Sequence, residues 1–402
     1  MSSGEAASAV AVPPAPRGRV LMIEQGGRGG NADYTAELTR ALAEQGWLID
    51  LATAEDHRYA ALDGVTVHGV FHYVRGSSRL GRAARRAGVG RVVNGLRVMA
   101  AIPRLIRLAQ KADLVHSQGF ESPPLGVAAL GAVRLAGARV MVQTSHNTFE
   151  RGRFLRRTRL ALVRMLEWLT TRTIVHTQAD VARIPAAMRG RVVVIPHGEY
   201  GGLARTGGGV DRARARAALG IEAQTPVTLL FGQLRGDKGL EDLLGAVSRV
   251  RELTLIIGGK DLGALAAAAP LLASPQLAGR VIVREGFLAM DHVAELFAAT
   301  DTVALPYRAA SQSGVLLLAY GFARPVIVYP VGGLLEAVIE GETGWICRRA
   351  DPEALAEALA ESVAAGPLEC ARRGEAGARL AEERYAWPVI ARRTGELYTE
   401  LL

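Results

Sequence analysis

Residues Phe231 to Gly239 read F-G-Q-L-R-G-D-K-G, directly after the run Pro226-Val-Thr-Leu-Leu, whose length and β-branched content predict a buried strand. Leu240, Leu243, Leu244 and Val247 then recur at i, i+3, i+4 and i+7, which predicts a helix. Arg235 and Lys238 therefore fall on a strand-to-helix turn, with Gly232 and Gly236 before Lys238 and Gly239 after it. A helix start offers N–H groups and partial positive charge, glycine lets a phosphate reach the backbone, and two cations three residues apart suit a diphosphate. The same residues also fit an ordinary glycine-rich loop with two solvated cations, so the surrounding chain has to decide.

Downstream, strands are predicted at Leu253 to Ile257, Arg280 to Arg284, Thr302 to Leu305 and Pro325 to Tyr329, with helices between them. Two of the loops that leave these strands carry polar chemistry. Pro306-Tyr-Arg-Ala-Ala-Ser-Gln-Ser-Gly-Val315 enters an apolar helix, and Ser311, Ser313 and Gly314 at its start suit an anion or a sugar hydroxyl. Pro330-Val-Gly-Gly-Leu-Leu-Glu336 places Gly333 and the Glu336 carboxylate at the head of another helix. Each alone is equally a capped helix. Together with the Arg235–Lys238 turn they form a set of loops on one sheet edge, where open α/β sheets bind ligands.

Upstream, Arg19 to Glu24 predicts a buried strand that runs into Gln25-Gly-Gly-Arg-Gly-Gly-Asn31. A helix follows with Tyr34, Leu38, Ala41 and Leu42 on one face, then a second strand at Leu48 to Ala52. Gly27-x-Gly29-x-x-Ala32, with Asp50 further on, also matches the loose dinucleotide fingerprint. Further strands are expected at Val65 to Phe71, Asp113 to His116, Arg139 to Thr144, Thr173 to Thr177 and Arg191 to Ile195. Polar groups gather at three of their ends, in His116-Ser-Gln118, Thr144-Ser-His146-Asn147 and His176-Thr-Gln178, and His146 is the site candidate among them. Thr206-Gly-Gly-Gly209 reads as a linker, and Ile390, Thr394, Leu397, Tyr398 and Leu401 line one face of a closing helix. No sequence repeat relates the two halves.

Composition narrows the class. At 402 residues, 49% apolar and 22% charged, the chain is long enough for two or three packed domains. Cys347 and Cys370 lie far from any CxxC spacing, so neither a zinc site nor a disulfide framework is expected. No apolar run approaches the roughly 18 residues of a membrane span. The net charge of +9 is unevenly spread: from Arg75 to Lys111 there are ten Arg or Lys and no acid, and from Arg151 to Arg164 six Arg and no acid. Interleaved apolar residues make these segments amphipathic, which suits an anionic membrane surface or an anionic substrate. Nucleic acid is not expected, because aromatics for base stacking are missing from Arg75 to Lys111 and no recognition motif occurs.

The order of a glycine-rich first loop, T-S-H-N, I-P-H-G, F-G-Q-L-R-G-D-K-G, S-Q-S-G-V, A-R-P-V-I, G-G-L-L-E and a closing W-P-V…L-Y helix resembles the family-4 glycosyltransferases of the GT-B fold, over Arg19 to Leu402. The resemblance implies two Rossmann-like, doubly wound parallel-sheet domains facing across a cleft, with the last helix crossing back to the first. The expected division is an arm at 1–17, an acceptor domain at 18–204, a linker at 205–212, a nucleotide-sugar domain at 213–385 and a closing helix at 386–402. Implied too is a retaining hexosyl transfer from a nucleotide-diphosphate sugar to an acceptor hydroxyl, with no metal and no cofactor. Arg235 and Lys238 would hold the diphosphate, amides near Gly29 and Gly30 would approach a phosphate, and His146 would lie near the transferred sugar. Gly232, Ser311, Ser313, Gly314, Gly333 and Glu336 are the further donor contacts, with Gly259 and Phe287 as candidates for base and ribose.

One departure stands out. Many members carry two glutamates eight positions apart, where this chain has Ser311 and Ala319, so no carboxylate is available there to clamp a ribose. A nucleotide-sugar-binding protein without transfer activity is therefore the alternative, and an NAD-dependent oxidoreductase built on Gly29 and Asp50 is a further one. The basic segments suggest a lipid-linked or otherwise anionic acceptor in polysaccharide or glycolipid assembly, and a cytoplasmic enzyme peripheral at the inner face of the cell membrane. A soluble natural-product or oligosaccharide acceptor is the other reading.

Overall fold

The computed structural model describes residues 16–59, 61–74, 82, 89–120, 122–146, 156–184, 186–199 and 210–402. Residues 1–15 of the expected arm, 205–209 of the expected linker, the basic stretches 75–81, 83–88 and 151–155, and Asn147 lie outside the described residues.

In chain order the first half holds β1 (Gly18–Ile23), α1 (Gly30–Glu44), β2 (Trp47–Ala54), β3 (Val65–Phe71), α2 (Gly90–Ala109), β4 (Leu114–Ser117), α3 (Pro123–Leu135), β5 (Met141–Thr144), α4 (Arg156–Leu169), β6 (Arg172–Val175), α5 (Gln178–Val181) and β7 (Val192–Val194). The second continues with α6 (Arg212–Ala218), β8 (Val227–Phe231), α7 (Leu240–Arg249), β9 (Thr254–Gly259), α8 (Ala264–Leu272), β10 (Val281–Glu285), α9 (Met290–Ala299), β11 (Thr302–Leu305), α10 (Gly314–Gly321), β12 (Val326–Val328), α11 (Leu334–Ala337), β13 (Gly344–Ile346), α12 (Pro352–Tyr385) and α13 (Trp387–Leu401). These strands make a seven-stranded sheet, ordered β3-β2-β1-β4-β5-β6-β7, and a six-stranded sheet, ordered β10-β9-β8-β11-β12-β13. The registered pairs are parallel, and the order reverses beside β1 and beside β8, which makes both sheets doubly wound and Rossmann-like.

The second sheet is buried on both faces, as a parallel sheet covered by helices must be. Val227, Leu229, Ile256, Val303, Leu305, Val326 and Val328 pack into one apolar cluster. Their alternate neighbours Leu230, Leu255, Ile257, Ala304 and Ile327 pack into another, with Leu240, Leu243, Leu244 and Val247 of α7. Burial on both faces keeps these runs continuously apolar, which is why their length and β-branched content read as strands.

Contacts divide the chain into two compact units. One holds the described residues up to Thr144, with 157–172 and Ala391–Leu402; the other holds Thr173–Ile390, together with Ser145 and His146. In the first unit, Tyr398 of α13 meets Trp47 edge-on at 5.2 Å between ring centroids and bonds His116 Nδ1 through its hydroxyl. His116 Nε2 lies 2.8 Å from Thr144 Oγ1, and burial pushes the His116 ring down to about 3. Among the described residues no helix is long and apolar enough to cross a membrane.

The structure differs from the sequence expectation in local ways. Several strands shift by one or two residues, as at Met141–Thr144, where Arg139 lies before the strand. β13 has only Gly-Trp-Ile, too short to carry an alternating pattern. α12 is broken at Gly366, with φ 78° and ψ 174°, ahead of Pro367.

Candidate functional site

The turn between β8 and α7 is not a bare loop. Residues Gly236–Lys238 form a short 3-10 turn that starts at Arg235, and Gly239 with φ 70° separates it from α7. Only glycine fits position 239: beyond its left-handed conformation, a Cβ there would lie 2.0 Å from the Pro306 carbonyl oxygen. The backbone of the 306–315 loop therefore lies directly against the turn, and Arg308 N donates to the Asp237 carbonyl at 3.0 Å.

The two cations are held differently. The Arg235 guanidinium is engaged by the Asp237 carboxylate through Nε at 2.8 Å and Nη2 at 2.9 Å, while Nη1 reaches Gln233 Oε1 at 3.1 Å. This pairing raises Arg235 and holds the Asp237 carboxyl below its usual range. Lys238 Nζ stands 3.4 Å above the ring of Tyr307, the residue after Pro306. Tyr307 is fully buried, and burial pushes its phenol up to about 12, so the ring is a fixed neutral platform for an ammonium. An anion at this turn must compete with Asp237 for Arg235, and the Lys238 ammonium, over the Tyr307 ring, also acts through its charge on the Asp237 carboxyl.

The other expected site residues line up around this turn. Gly232 N donates to Gly258 O at 2.9 Å, and a Cβ on Gly259 would fall 1.9 Å from Gly232 O, so the ends of β8 and β9 touch through backbone. Gly286 N donates to Gly259 O at 3.0 Å, and Phe287 beside it is 92% exposed. Ser313 caps α10 by accepting from Leu316 N at 3.2 Å and lies 3.5 Å from the Tyr307 hydroxyl, with Gly314 as the first residue of that helix. Ser311 is buried, and Gly333 is so close to it that a Cβ would stand 1.8 Å from Ser311 O. Ala319, on α10, is fully buried in the core.

Glu336 has structural partners. Its carboxylate oxygens accept from Gln178 N and Ala179 N, both at 2.9 Å, which caps α5 immediately after β6. Next to that cap, three imidazoles gather at the ends of the last strands of the first sheet. His176 Nε2 lies 3.2 Å from His146 Nδ1, and His176 and His197 ring centroids are 5.3 Å apart. Burial lowers His176 and brings His197 down to about 3. Trp387, 6.2 Å from His197 between ring centroids, donates through Nε1 to Glu199 O at 2.8 Å.

In the first unit, Gly29 and Gly30 stand at the start of α1, and a Cβ on either would meet nothing within 4 Å. The amides of Gly26 and Gly27 are already taken by Glu24, at 2.8 and 2.7 Å. Asp50, the ribose candidate of the dinucleotide pattern, is bonded by Arg19 Nη1 at 2.8 Å and His68 Nε2 at 2.7 Å. The sequence shows His176 at a polar strand end and His197 in I-P-H-G, but neither was a site candidate there, and Asp237 and Tyr307 had no assigned role. The histidines carried a usable signal, since each closely follows one of two consecutive strands, β6 and β7, whose carboxyl ends share one edge.

Two doubly wound parallel sheets, with loops gathered at the strand ends of the second around a cationic turn, define the GT-B class of protein. The model of Glycosyltransferase Family 4 matches residues 28–198, and that of Glycosyl transferases group 1 matches residues 225–364. The chain belongs to the family-4 glycosyltransferases. It is 30% identical over 234 residues to a D-inositol 3-phosphate glycosyltransferase of Streptomyces avermitilis, covering 55% of this chain and 49% of that protein. It is 31% identical over 199 residues to a glycogen synthase of Mycobacterium tuberculosis, covering 47% and 46%. The chain spans about half the length of the curated relatives it matches. Among solved structures, a sucrose-phosphate synthase from Thermosynechococcus elongatus superposes with TM-score 0.73 at 21% identity, over 96% of this chain and 99% of that one. HepE of Anabaena, in complex with UDP and glucose, superposes with TM-score 0.71 at 19% identity, over 94% and 99%.

Proposed function

We propose that this chain transfers a hexosyl unit from a nucleotide-diphosphate sugar to an acceptor hydroxyl, with retention at the anomeric carbon and without a metal ion. The observation that carries the reading is Lys238, seated over Tyr307 on a glycine-flanked turn at the carboxyl end of β8, next to the loops that carry Ser313 and Gly259. Family membership supports transfer, and the UDP and glucose held by the Anabaena relative in fold support a nucleotide sugar as donor.

The bond that breaks joins the anomeric carbon to the diphosphate, so negative charge grows on the departing phosphate while the sugar gains oxocarbenium character. Lys238 and the amides of the turn would stabilise that charge, and Arg235 would join them by exchanging Asp237 for phosphate. The leaving phosphate takes the acceptor proton, and the acceptor oxygen forms the new bond on the same face. Ser313 and Gly314 would meet the donor at the start of α10, and Gly259 and Phe287 its base side. With Ser311 and Ala319 in place of glutamates, the ribose has no carboxylate from these positions. That departure is the observation that favours the second reading, a nucleotide-sugar-binding protein without transfer.

A panel of UDP-, GDP- and dTDP-sugars tests both. One donor class should raise the thermal midpoint of the intact chain and be consumed when acceptors are supplied. Protection without consumption selects the binding protein, and no protection by any nucleotide sugar refutes the donor site.

The acceptor is proposed to be lipid-linked or anionic and met at an anionic membrane surface. Val89 and, on α2, Val92, Leu96 and Met99 are exposed at 45, 63, 66 and 44%, and their spacing puts them in one row along the helix. On the same helix Arg104 is exposed and Arg97 half-buried. Such a row beside arginines suits an anionic lipid interface. In sedimentation with liposomes, binding should rise with anionic lipid, and Leu96→Asp should weaken it about tenfold, because burying a leucine is worth about 1.5–3 kcal/mol. Indifference to both lipid charge and Leu96→Asp would count against the membrane reading.

A further inference from the structure

Side chains along β4 and β5 alternate between the two faces of the first sheet, and the polar residues at the strand ends sort accordingly. His116 and Thr144 point to one face, where they bond each other at 2.8 Å and His116 bonds the Tyr398 hydroxyl of α13. Val115 and Met141 point to the other, into the apolar cluster that holds Val98 and Leu105 of α2 and Leu130 of α3. Ser117 and Gln143 follow two residues later on that same face, and they are registered partners on adjacent strands. Both leave hydrogen-bonding capacity unused. Gln143 is 8% exposed, and its Oε1 is buried with no partner among the described residues. Ser117 is buried too; its Oγ accepts from Gly119 N at 3.2 Å, and among the described residues its hydroxyl hydrogen goes to no acceptor. A buried amide oxygen without a donor costs stability that an apolar residue of similar size would not. An orphan of this kind at the carboxyl end of a parallel strand, where such sheets bind ligands, points to a ligand.

We propose that Gln143 and Ser117 form a subsite for one hydroxyl of an uncharged, polyhydroxyl part of the acceptor, which donates to Gln143 Oε1 and accepts from the Ser117 hydroxyl. The ligand class follows from the polarity of the two groups. Oε1 needs a donor, which an ionised phosphate or carboxylate oxygen does not offer, and an apolar ligand leaves both groups unpaired. A hydroxyl donates and accepts, so it also satisfies the amide turned over with its NH2 inward. The subsite lies on the sheet face that α2 covers, the helix that carries the exposed row of Val92, Leu96 and Met99, so a sugar head held here belongs to the same side of this unit as the proposed lipid surface. Its assignment to the acceptor rests on the glycosyl-transfer reading above; the hydroxyl chemistry rests on Gln143 and Ser117 alone.

Thermal midpoints of the full chain, alone and with glucose, maltose or inorganic phosphate, test it. Without a probe, Gln143→Leu should melt at the wild-type temperature or about 2–4 °C above it, because it removes a buried polar atom that nothing pairs. Concentrated sugars raise the midpoint of any chain by exclusion from its surface, so the reading is the difference between wild type and variant. Glucose or maltose should protect the wild type with an apparent Kd about three- to tenfold lower than in Gln143→Leu, the worth of one neutral hydrogen bond, and Ser117→Ala should lose a similar factor. Phosphate should act equally on all three chains. Gln143→Met, unbranched like glutamine, replaces the leucine variant if that one does not fold. Equal protection of wild type and variant by both sugars, including no protection of either, overturns the proposal. So does a probe-free variant that melts several degrees lower, because the amide then already has a partner such as a buried water. Phosphate protection that is lost in Gln143→Leu overturns the hydroxyl class. Selective protection by a sugar in a chain that consumes no nucleotide sugar overturns the transfer reading instead, and leaves the subsite standing.

Discussion

Lys238→Ala is expected to lower turnover about a hundred- to a thousandfold, the usual consequence of removing one preorganised stabiliser of developing negative charge. The fold should survive. Lys238 is half-buried, and its contact with Tyr307 is worth about 0.5–2 kcal/mol as a cation–π pair. The comparison with Arg235 makes the argument specific. Arg235 already spends two N–H groups on Asp237, so any anion that recruits it must first displace a carboxylate, and Lys238, over the Tyr307 ring, adds its charge beside the same carboxylate. Turnover of the wild type and of Lys238→Ala, with the donor that protects the chain against heat, is the measurement, and thermal unfolding of both is the control. Near-normal turnover in a folded Lys238→Ala would remove the diphosphate from this turn.

Arg216→Met is expected to destabilise the second unit by about 3–5 kcal/mol, the cost of breaking a buried ion pair from one side. The Arg216 side chain is 2% exposed, and its guanidinium bonds Asp301 Oδ2 at 2.9 Å and the carbonyls of Ala299, Glu222, Ala223 and Thr225 at 2.7–3.1 Å. Methionine fills much of the volume but leaves those acceptors without their donor. Asp301 also accepts from Val227 N at 2.8 Å, so the loss reaches the first residue of β8, the strand that carries the cationic turn. For a unit of this size the thermal midpoint should fall on the order of 10 °C. Arg212→Met is the matched control: Arg212 pairs with the same carboxylate, but its side chain is 38% exposed, and its loss should cost about 1 kcal/mol or less. Equal losses in the two variants would show that burial is not what makes Arg216 matter.

Much of the site was visible in the residue order, and the reason is physical. A strand shows itself by apolar residues of strand length and a helix by recurrence at three and four, so the turn between β8 and α7 could be placed before any contact was known. Glycines at 239, 259 and 333 sit where backbone meets backbone, and they were legible as loop residues even though the carbonyls they make room for were not. Glu336 shows the opposite case. Its place at a helix head was apparent, but its partners, Gln178 N and Ala179 N, lie more than 150 residues away, and no local pattern announces them.

Residue order by itself settled two doubly wound α/β halves, the loops that bear polar chemistry and the family to which the chain belongs, because periodicity and turn chemistry act over a few neighbours. Only the tertiary structure decided which polar groups meet: Arg235 and Asp237, Lys238 and the Tyr307 ring, His146 and His176. The last two pairs join residues 69 and 30 positions apart, 238 with 307 and 146 with 176. Packing of the strands brings them together, and the burial that follows lowers the His176 ring and raises the Tyr307 phenol.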